Sequence, residues 1–83
     1  MIFMKMLEKL KEYENQYVFM RWATGGEYGK LMFVGEDFVE FNIIDIDTMS
    51  YKETMVIYFP LILEVAIGGA DIARIVAELS LKS

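Results

Sequence analysis

The sequence predicts a mostly β protein that opens with one short helix. Three features indicate this: an amphipathic stripe near the N-terminus, apolar runs of strand length that follow it, and paired glycines between those runs. Paired glycines favour tight turns because glycine reaches positive φ without steric cost. The chain has 83 residues, so we expect a single domain over residues 1–83 with a core that is marginal by itself.

Residues 1–15 are predicted to form the N-terminal helix. Apolar residues recur there at the spacing of one helix face, and the charged residues fall mainly on the other side. The apolar stripe consists of Phe3, Met6, Leu7, Leu10 and Tyr13. We therefore expect an amphipathic helix that lies over the strands.

Three strands are predicted to follow. Residues 17–22 are rich in aromatic and branched side chains, which are typical of strands. A glycine turn separates them from residues 28–34, and a second turn at residues 35–37 precedes a third strand over residues 38–46. Apolar and polar residues alternate in the third strand, which places one face in a core and the other in a wetter environment.

In residues 47–79 the pattern of apolar and polar residues is less regular. Residues 47–53 are polar and are predicted to be a loop, and residues 54–67 a fourth strand with an edge, bend or break at Pro60, which cannot donate to a ladder. After a tight connection at residues 68–69, the pattern of residues 70–79 fits two structures. A helical stripe would use Ile72, Ile75, Val76 and Leu79, and a strand face would use Ile75, Ala77 and Leu79. The local pattern favours the helix.

The chain has a surplus of apolar residues. Hydrophobic residues make up 55% of it, including seven methionines, and no cysteine is present to staple them. Chains of this size bury only about 60–65% of the surface that their unfolded state exposes. We therefore expect a second subunit to cover part of the apolar surface.

The charge and composition disfavour several kinds of binding and catalytic site. The net charge is −5, which disfavours nucleic acid, and the absence of histidine and cysteine removes the usual general base, the thiol nucleophile and zinc-thiolate sites. We expect no enzyme activity, no cofactor, no metal and no small-molecule substrate. The sequence lacks the pattern of a signal peptide and the long apolar run of a membrane helix, so we expect a cytoplasmic protein without a membrane partner.

Two segments resemble the signature of Sm-like (LSm) proteins. In residues 17–45 an apolar strand and a glycine turn precede Gly29-Lys30-Leu31, which matches the family's Gly-x-Leu, and Glu36 stands near its acidic position. Phe38-Val39-Glu40 then occupies the place of the aromatic-Met-Asn triplet. Residues 65–72, VAIGGADI, are similar to the second pattern, in which Ile, Arg, Gly and Asn or Asp precede an apolar strand.

The chain departs from the family where a ligand would bind. The spacing from the first glycine to the triplet is one residue longer, so Glu40 matches the family's asparagine only with an insertion in the Gly35 turn; otherwise Val39 takes that position. In the second segment Gly68 stands for the family's arginine and Ala70 for its asparagine. We expect a divergent member, of the kind found in marine and phage genomes.

The resemblance implies a fold and an assembly. It implies an N-terminal helix followed by a strongly bent, five-stranded antiparallel β-barrel over residues 16–83. It also implies that residues 72–79 form the fifth strand, and we follow it here against the local pattern. In the family the edge of strand four pairs with strand five of a neighbour, so the expected partner is a second copy of this chain in a closed homo-oligomeric ring.

The resemblance also implies a function, that of an RNA-binding or RNA-chaperone scaffold with single-stranded RNA as a partner. In the family an aromatic residue stacks on an extruded base, and the asparagine and arginine hold its edge. Phe38 is the candidate for stacking, and Glu40 could accept hydrogen bonds from a base amino group. The other candidates lie in the second segment or on the helix, where they would contact phosphates: Gly68, Gly69, Lys5 and Lys9.

A competing hypothesis is a protein-interaction or assembly module that keeps the ring and lacks the nucleotide pocket. The negative charge and the residues at positions 68 and 70 favour it. The candidate residues also have structural explanations. Aromatic residues fill cores and interfaces more often than they meet bases, and acidic turns and lysines on helices are usually solvated.

Overall fold

The computed structural model describes residues 2–82, with side chains for residues 5–80. Helices lie at both ends of the described chain, five strands lie between them, and a short 3-10 helix connects the last two strands. In chain order the elements are α1 (Ile2–Lys11), β1 (Gln16–Trp22), β2 (Gly25–Val34), β3 (Phe38–Asp45), β4 (Ser50–Tyr58), the 3-10 helix (Phe59–Leu61), β5 (Ile62–Ala66) and α2 (Ala70–Lys82). The prediction of a mostly β protein with an N-terminal helix is confirmed.

The five strands form one open antiparallel sheet in the order β4-β3-β2-β1-β5. Three of its four strand pairings contain a register shift, in β1–β5, β2–β3 and β3–β4. Bulges of this kind bend a strand and increase its twist. Strands β4 and β5 lie at the two edges, and each has a neighbour on one side only within the described residues.

The main core lies on the inner face of this sheet. Residues of alternating position on β1, β2 and β3 are fully or almost fully buried there, as the predicted alternation requires. The packing explains the glycine at position 29, because a Cβ there would collide with the carbonyl oxygen of Asn42 and the ring of Phe41. The core residues include Val18, Met20, Leu31, Val34, Val39, Phe41 and Ile43.

Helix α1 covers one side of this core through Leu10, with Leu7 and Tyr13 packed beside it. The helix ends at Lys11, before the predicted limit at residue 15. Hydrogen-bonded turns follow, and Asn15 adopts a left-handed φ of 68° while its N–H donates to the carbonyl of Leu31 at 2.5 Å. The predicted stripe also includes Phe3, whose side chain lies outside the described residues.

The predicted fourth strand over residues 54–67 is wrong, because the structure contains two strands there. Pro60 lies in the 3-10 helix Phe59–Leu61, which ends β4 and lets the chain turn towards β1. The buried Phe59 fixes this break, because its N–H donates to the carbonyl of Asp37 at 2.7 Å. The predicted loop at residues 47–53 is also too long, since β4 begins at Ser50.

The predicted fifth strand over residues 72–79 is wrong, because this segment is part of α2. The strand-bearing part of the chain accordingly ends at Ala66 rather than continuing to residue 83. The local pattern favoured a helix with an apolar stripe, and this stripe is the face of α2 that packs on the sheet. Ile75 is fully buried against Ile44 and Met49 on the outer face of the sheet, with Leu79 beside them.

Two polar contacts hold α2 on the sheet. The hydroxyl of Tyr28 donates to a carboxylate oxygen of Asp71 at 3.0 Å, and Arg74 donates to the carbonyl of Ile46 at 3.1 Å. Neither helix within residues 2–82 is long and apolar enough to cross a membrane.

The contact between Tyr28 and Asp71 predicts a loss of stability at high pH. The hydrogen bond to Asp71, burial and the Asp71 charge raise the pKa of Tyr28 above its ordinary value, and Arg74 opposes them. A raised pKa in the folded state means that this contribution is present below about pH 10 and is lost as the pH rises further. Thermal unfolding should show a steeper loss of stability above pH 10 for the native chain than for Tyr28→Phe, and parallel curves would contradict this assignment.

Candidate functional site

An aromatic patch lies on the outer face of the sheet, where β2, β3 and β4 meet. Its five residues are adjacent in the strand register, which places Phe38 opposite Tyr58 and Glu40 opposite both Phe33 and Val56. The rings of Phe33 and Phe38 lie 5.8 Å apart at 44°. Large apolar side chains are unusually open here, with Phe33 47%, Val56 65% and Tyr58 55% exposed. We call Phe33, Phe38, Glu40, Val56 and Tyr58 the aromatic patch.

The turn between β2 and β3 positions the Phe38 ring. The N–H of Gly35 donates to the carbonyl of Phe38 at 2.8 Å and closes the turn. The ring lies directly over Gly35, where a Cβ would overlap it. The bond from Phe59 to Asp37 then fixes the end of β4 against this turn. Two segments about twenty residues apart in sequence are thereby brought together at one end of the patch.

Glu40 is the charged member of the patch. Its neighbours in the adjoining strands, Phe33 and Val56, are apolar. Within the part of the chain that the structure describes, its carboxylate has no hydrogen bond and no ion pair. The patch therefore offers stacking surfaces together with an unpaired hydrogen-bond acceptor.

A polar strip borders the patch on the same face. Asn42 follows Glu40 by two residues on β3 and accepts hydrogen bonds from Thr54 at 2.8 Å and from Tyr51 at 3.2 Å. Lys30 is the register partner of Asn42 on β2, and its ammonium lies 5.7 Å from the ring centre of Tyr17. The positively charged Lys30 therefore lies on the strand next to β3, opposite the residue two positions after Glu40.

The structure separates the predicted site residues. Phe38 and Glu40 lie together in the aromatic patch. Gly68 and Gly69 lie in the connection between β5 and α2, at the opposite edge of the sheet. They border a cavity of about 170 Å³ whose other lining includes Phe19, Tyr28 and Asp71. The family resemblance placed the second signature between strands four and five, whereas the observed connection between them is Phe59–Leu61.

The predicted phosphate contacts Lys5 and Lys9 lie on α1, which packs on the inner core. Lys9 is 3.6 Å from the carboxylate of Glu12, and its ammonium lies 5.8 Å from the ring centre of Tyr13. Its charge is therefore partly neutralised. The aromatic patch lies on the other face of the sheet, so the structure does not bring either lysine to Phe38.

Three members of the patch were not identified from the sequence: Phe33, Val56 and Tyr58. One signal was present, since residues 56–59 read Val-Ile-Tyr-Phe and are apolar at both alternating positions. Such a run is typical of a strand with two covered faces. In the structure the inner members Ile57 and Phe59 are buried, whereas the outer members are exposed.

A second candidate site is formed by the free edges of β4 and β5 and the space between them. Tyr51 on β4 and Leu63 on β5 are 58% and 63% exposed, and Leu61 between the strands is 59% exposed. An apolar cleft of about 330 Å³ opens beside these edges; Trp22, Ala23, Thr24, Met55, Ile57 and Leu61 line it. We call it the Trp22 cleft. On the paired strands β1 and β5, Arg21 and Glu64 form an ion pair at 2.5 Å.

Among the described residues, no three histidine, cysteine, aspartate or glutamate side chains gather as a metal site would require. No family model, curated protein or solved structure matches this chain. The aromatic patch and the free edges of β4 and β5 are the candidate functional surfaces.

Proposed function

We propose that this chain is the subunit of an Sm-like homo-oligomeric ring that binds single-stranded RNA on its aromatic patch. The observation that carries the proposal is the pair of free strand edges, β4 and β5, at opposite ends of one bent sheet. Exposed edges carry unpaired N–H and C=O groups and invite pairing with another chain. Pairing of β4 with β5 of the next copy continues the sheet and leaves no edge once the ring closes.

The Trp22 cleft supports this mode of assembly. It is lined on the β4 side by Met55 and Ile57, which belong to the inner face of the sheet. When a neighbour's β5 extends the sheet beyond β4, apolar side chains of that strand come to lie beside this lining. The exposed Leu63 is such a side chain. Assembly would thus bury a cleft that a single copy leaves open to water.

The aromatic patch supports RNA binding. Single-stranded nucleic acids bind to proteins through aromatic side chains on which bases stack, at about 1–3 kcal/mol per base. Tyr58 and Phe33 offer two exposed rings, and Phe38 adds a half-buried ring beside them. The arginine that clamps the base in the family is missing at Gly68, and the segment Phe59–Leu61 contains none. Binding here would rest on stacking rather than on that clamp.

A second function, an assembly module without RNA, is favoured by the charge near the patch. Glu36 and Asp37 lie in the turn beside Phe38, Glu40 lies within the patch, and the whole chain carries a net charge of −5. These carboxylates repel phosphates most strongly at low ionic strength. Assembly and RNA binding are therefore two proposals, and the first can hold where the second fails.

We expect Phe38→Ala and Tyr58→Ala each to weaken RNA binding by roughly fivefold to a hundredfold, because each removes one stacking surface. Fluorescence anisotropy with labelled U-rich and A-rich oligonucleotides, at low and physiological salt, measures this. Val76→Ala is the matched control, since Val76 is 43% exposed on α2 away from the patch.

Light scattering on each variant must show an unchanged mass, which separates a lost contact from a lost assembly. Absence of binding by the native chain at both salt concentrations would contradict the RNA function and favour the assembly module. Loss of the oligomer in Phe38→Ala would show that Phe38 is structural.

A further inference from the structure

We infer that the aromatic patch selects guanine, with Glu40 as the side chain that recognises the base. The inference rests on the proposed RNA binding and names the ligand of that same surface. Its basis is the position of Glu40, whose carboxylate has no partner among the described residues, between Phe33 and Val56 and two residues from Phe38 on the same face of β3.

The surroundings of Glu40 favour a ligand that donates hydrogen bonds. An ionised carboxylate only accepts, and it accepts through two oxygens. When a ligand covers the patch, water leaves this carboxylate, and a charge without a replacement partner is costly. A purely apolar ligand, such as a hydrophobic peptide face, would leave Glu40 uncompensated. A flat ring with donors on its edge would satisfy both parts of the patch.

Guanine has the edge that fits a carboxylate best. Its N1–H and N2–H donors lie side by side and can reach the two carboxylate oxygens together, and charge-assisted bidentate pairs are the strong hydrogen bonds of recognition. Adenine and cytosine present one amino group beside a ring nitrogen that accepts. Uracil presents one N–H between two carbonyl oxygens, which face the carboxylate unfavourably. The expected order is guanine, then adenine and cytosine, then uracil.

The strand register places stacking and recognition within reach of one base. Phe38 and Tyr58 are directly opposite, so their Cβ atoms lie about 4.5–5.5 Å apart on the same face. Glu40 is two residues further along β3, about 7 Å from Phe38. A base that stacks on the Phe38 or Tyr58 ring can therefore extend along the strand and turn its Watson–Crick edge to Glu40.

The experiment compares short uridine oligonucleotides that differ in one central base, which is guanine, adenine, cytosine or uracil. A single guanine in a uridine background avoids guanine-rich structures. In fluorescence anisotropy we expect the guanine oligonucleotide to bind the native chain roughly tenfold to a hundredfold more tightly than the uracil one. Glu40→Gln should reduce this ratio to within about threefold, since the amide keeps only one acceptor oxygen.

Glu36→Gln is the matched control, because Glu36 carries the same charge in the neighbouring turn, outside the patch. It should raise the affinity for all four oligonucleotides alike and keep the guanine preference. Binding of all four with equal affinity would overturn the inference and leave the proposed RNA binding in place. A guanine preference that survives Glu40→Gln would remove Glu40 from the assignment, and no binding of any oligonucleotide would overturn both claims.

Discussion

Replacing Phe41 by alanine is expected to lower the free energy of unfolding by about 3–5 kcal/mol. Phe41 is fully buried on the inner face of β3, where it lies between its register partners Leu31 and Met55. Alanine would leave a cavity that the neighbouring strands cannot fill without disturbing their ladders. Small domains have about 5–15 kcal/mol of net stability, so the variant would approach the limit of folding.

Phe33→Ala is the matched control for this prediction. It removes the same side chain from the outer face, where Phe33 is 47% exposed, and should cost less than about half as much. Urea unfolding at one fixed protein concentration measures both variants, because the proposed association of copies would make stability depend on concentration. Equal losses of stability in the two variants would contradict the assignment of inner and outer faces.

Leu63→Lys is expected to dissociate the proposed assembly. Leu63 lies on the edge strand β5 and is 63% exposed in a single copy. Lysine on an edge strand blocks pairing because its charge would be buried against the next chain. We expect the dissociation constant between subunits to rise at least about a hundredfold, and the single chain to keep its fold.

Val76→Lys provides the control for charge. Val76 is 43% exposed on α2, outside both edge strands, and its substitution changes the net charge by the same amount. Sedimentation velocity over a range of concentrations distinguishes the two variants. Dissociation by both, or by neither, would mean that β5 is not the surface through which copies meet.

Much of the fold could be predicted because its signals are local. The alternation along residues 38–46 identified the inner face of β3. The first three strands were also separated, but Gly25 and Gly26 lie in β2 rather than in the turn, which is at residues 23–24. The apolar stripe of α2 was also visible in the sequence. The family resemblance displaced that interpretation, although Ile72, Ile75 and Leu79 together match only a helix face.

The break at Pro60 could not be predicted, because its cause is not local. Residues on both sides of this proline are apolar and suit strands, so the pattern alone allows an edge, a bend or a break. The deciding contacts are the hydrogen bond from Phe59 to Asp37 and the pairing of β5 with β1. Both join residues that are distant in sequence.

Only part of the candidate site could be predicted from the sequence, and again it was the part that depends on local pattern. Phe38 and Glu40 alternate on one strand, and the structure places them on one face. Tyr58 and Phe33 join them only through strand pairing and a register shift on β2. The family resemblance placed Gly68 and Gly69 before a fifth strand at residues 72–79, which are helical in the structure. With β5 ending at Ala66, these glycines lie at the far edge of the sheet.

The exposed apolar residues are concentrated on the two edge strands and the connection between them. Many of the large ones lie between the start of β4 and the end of β5; they are Tyr51, Val56, Tyr58, Leu61 and Leu63. A closed ring with β4–β5 pairing would cover those at the strand edges and leave the outer patch for a ligand. The surplus of apolar residues in the sequence thereby acquires a specific location.

The central claim is that copies of this chain pair edge to edge and close a ring. The most direct measurement is the molar mass in solution by size-exclusion chromatography with light scattering, over a wide range of protein concentrations. The proposed assembly predicts one species whose mass is a fixed whole-number multiple of 9.6 kDa and does not grow with concentration, because a closed ring has no free edge. A mass of 9.6 kDa at every concentration would contradict it.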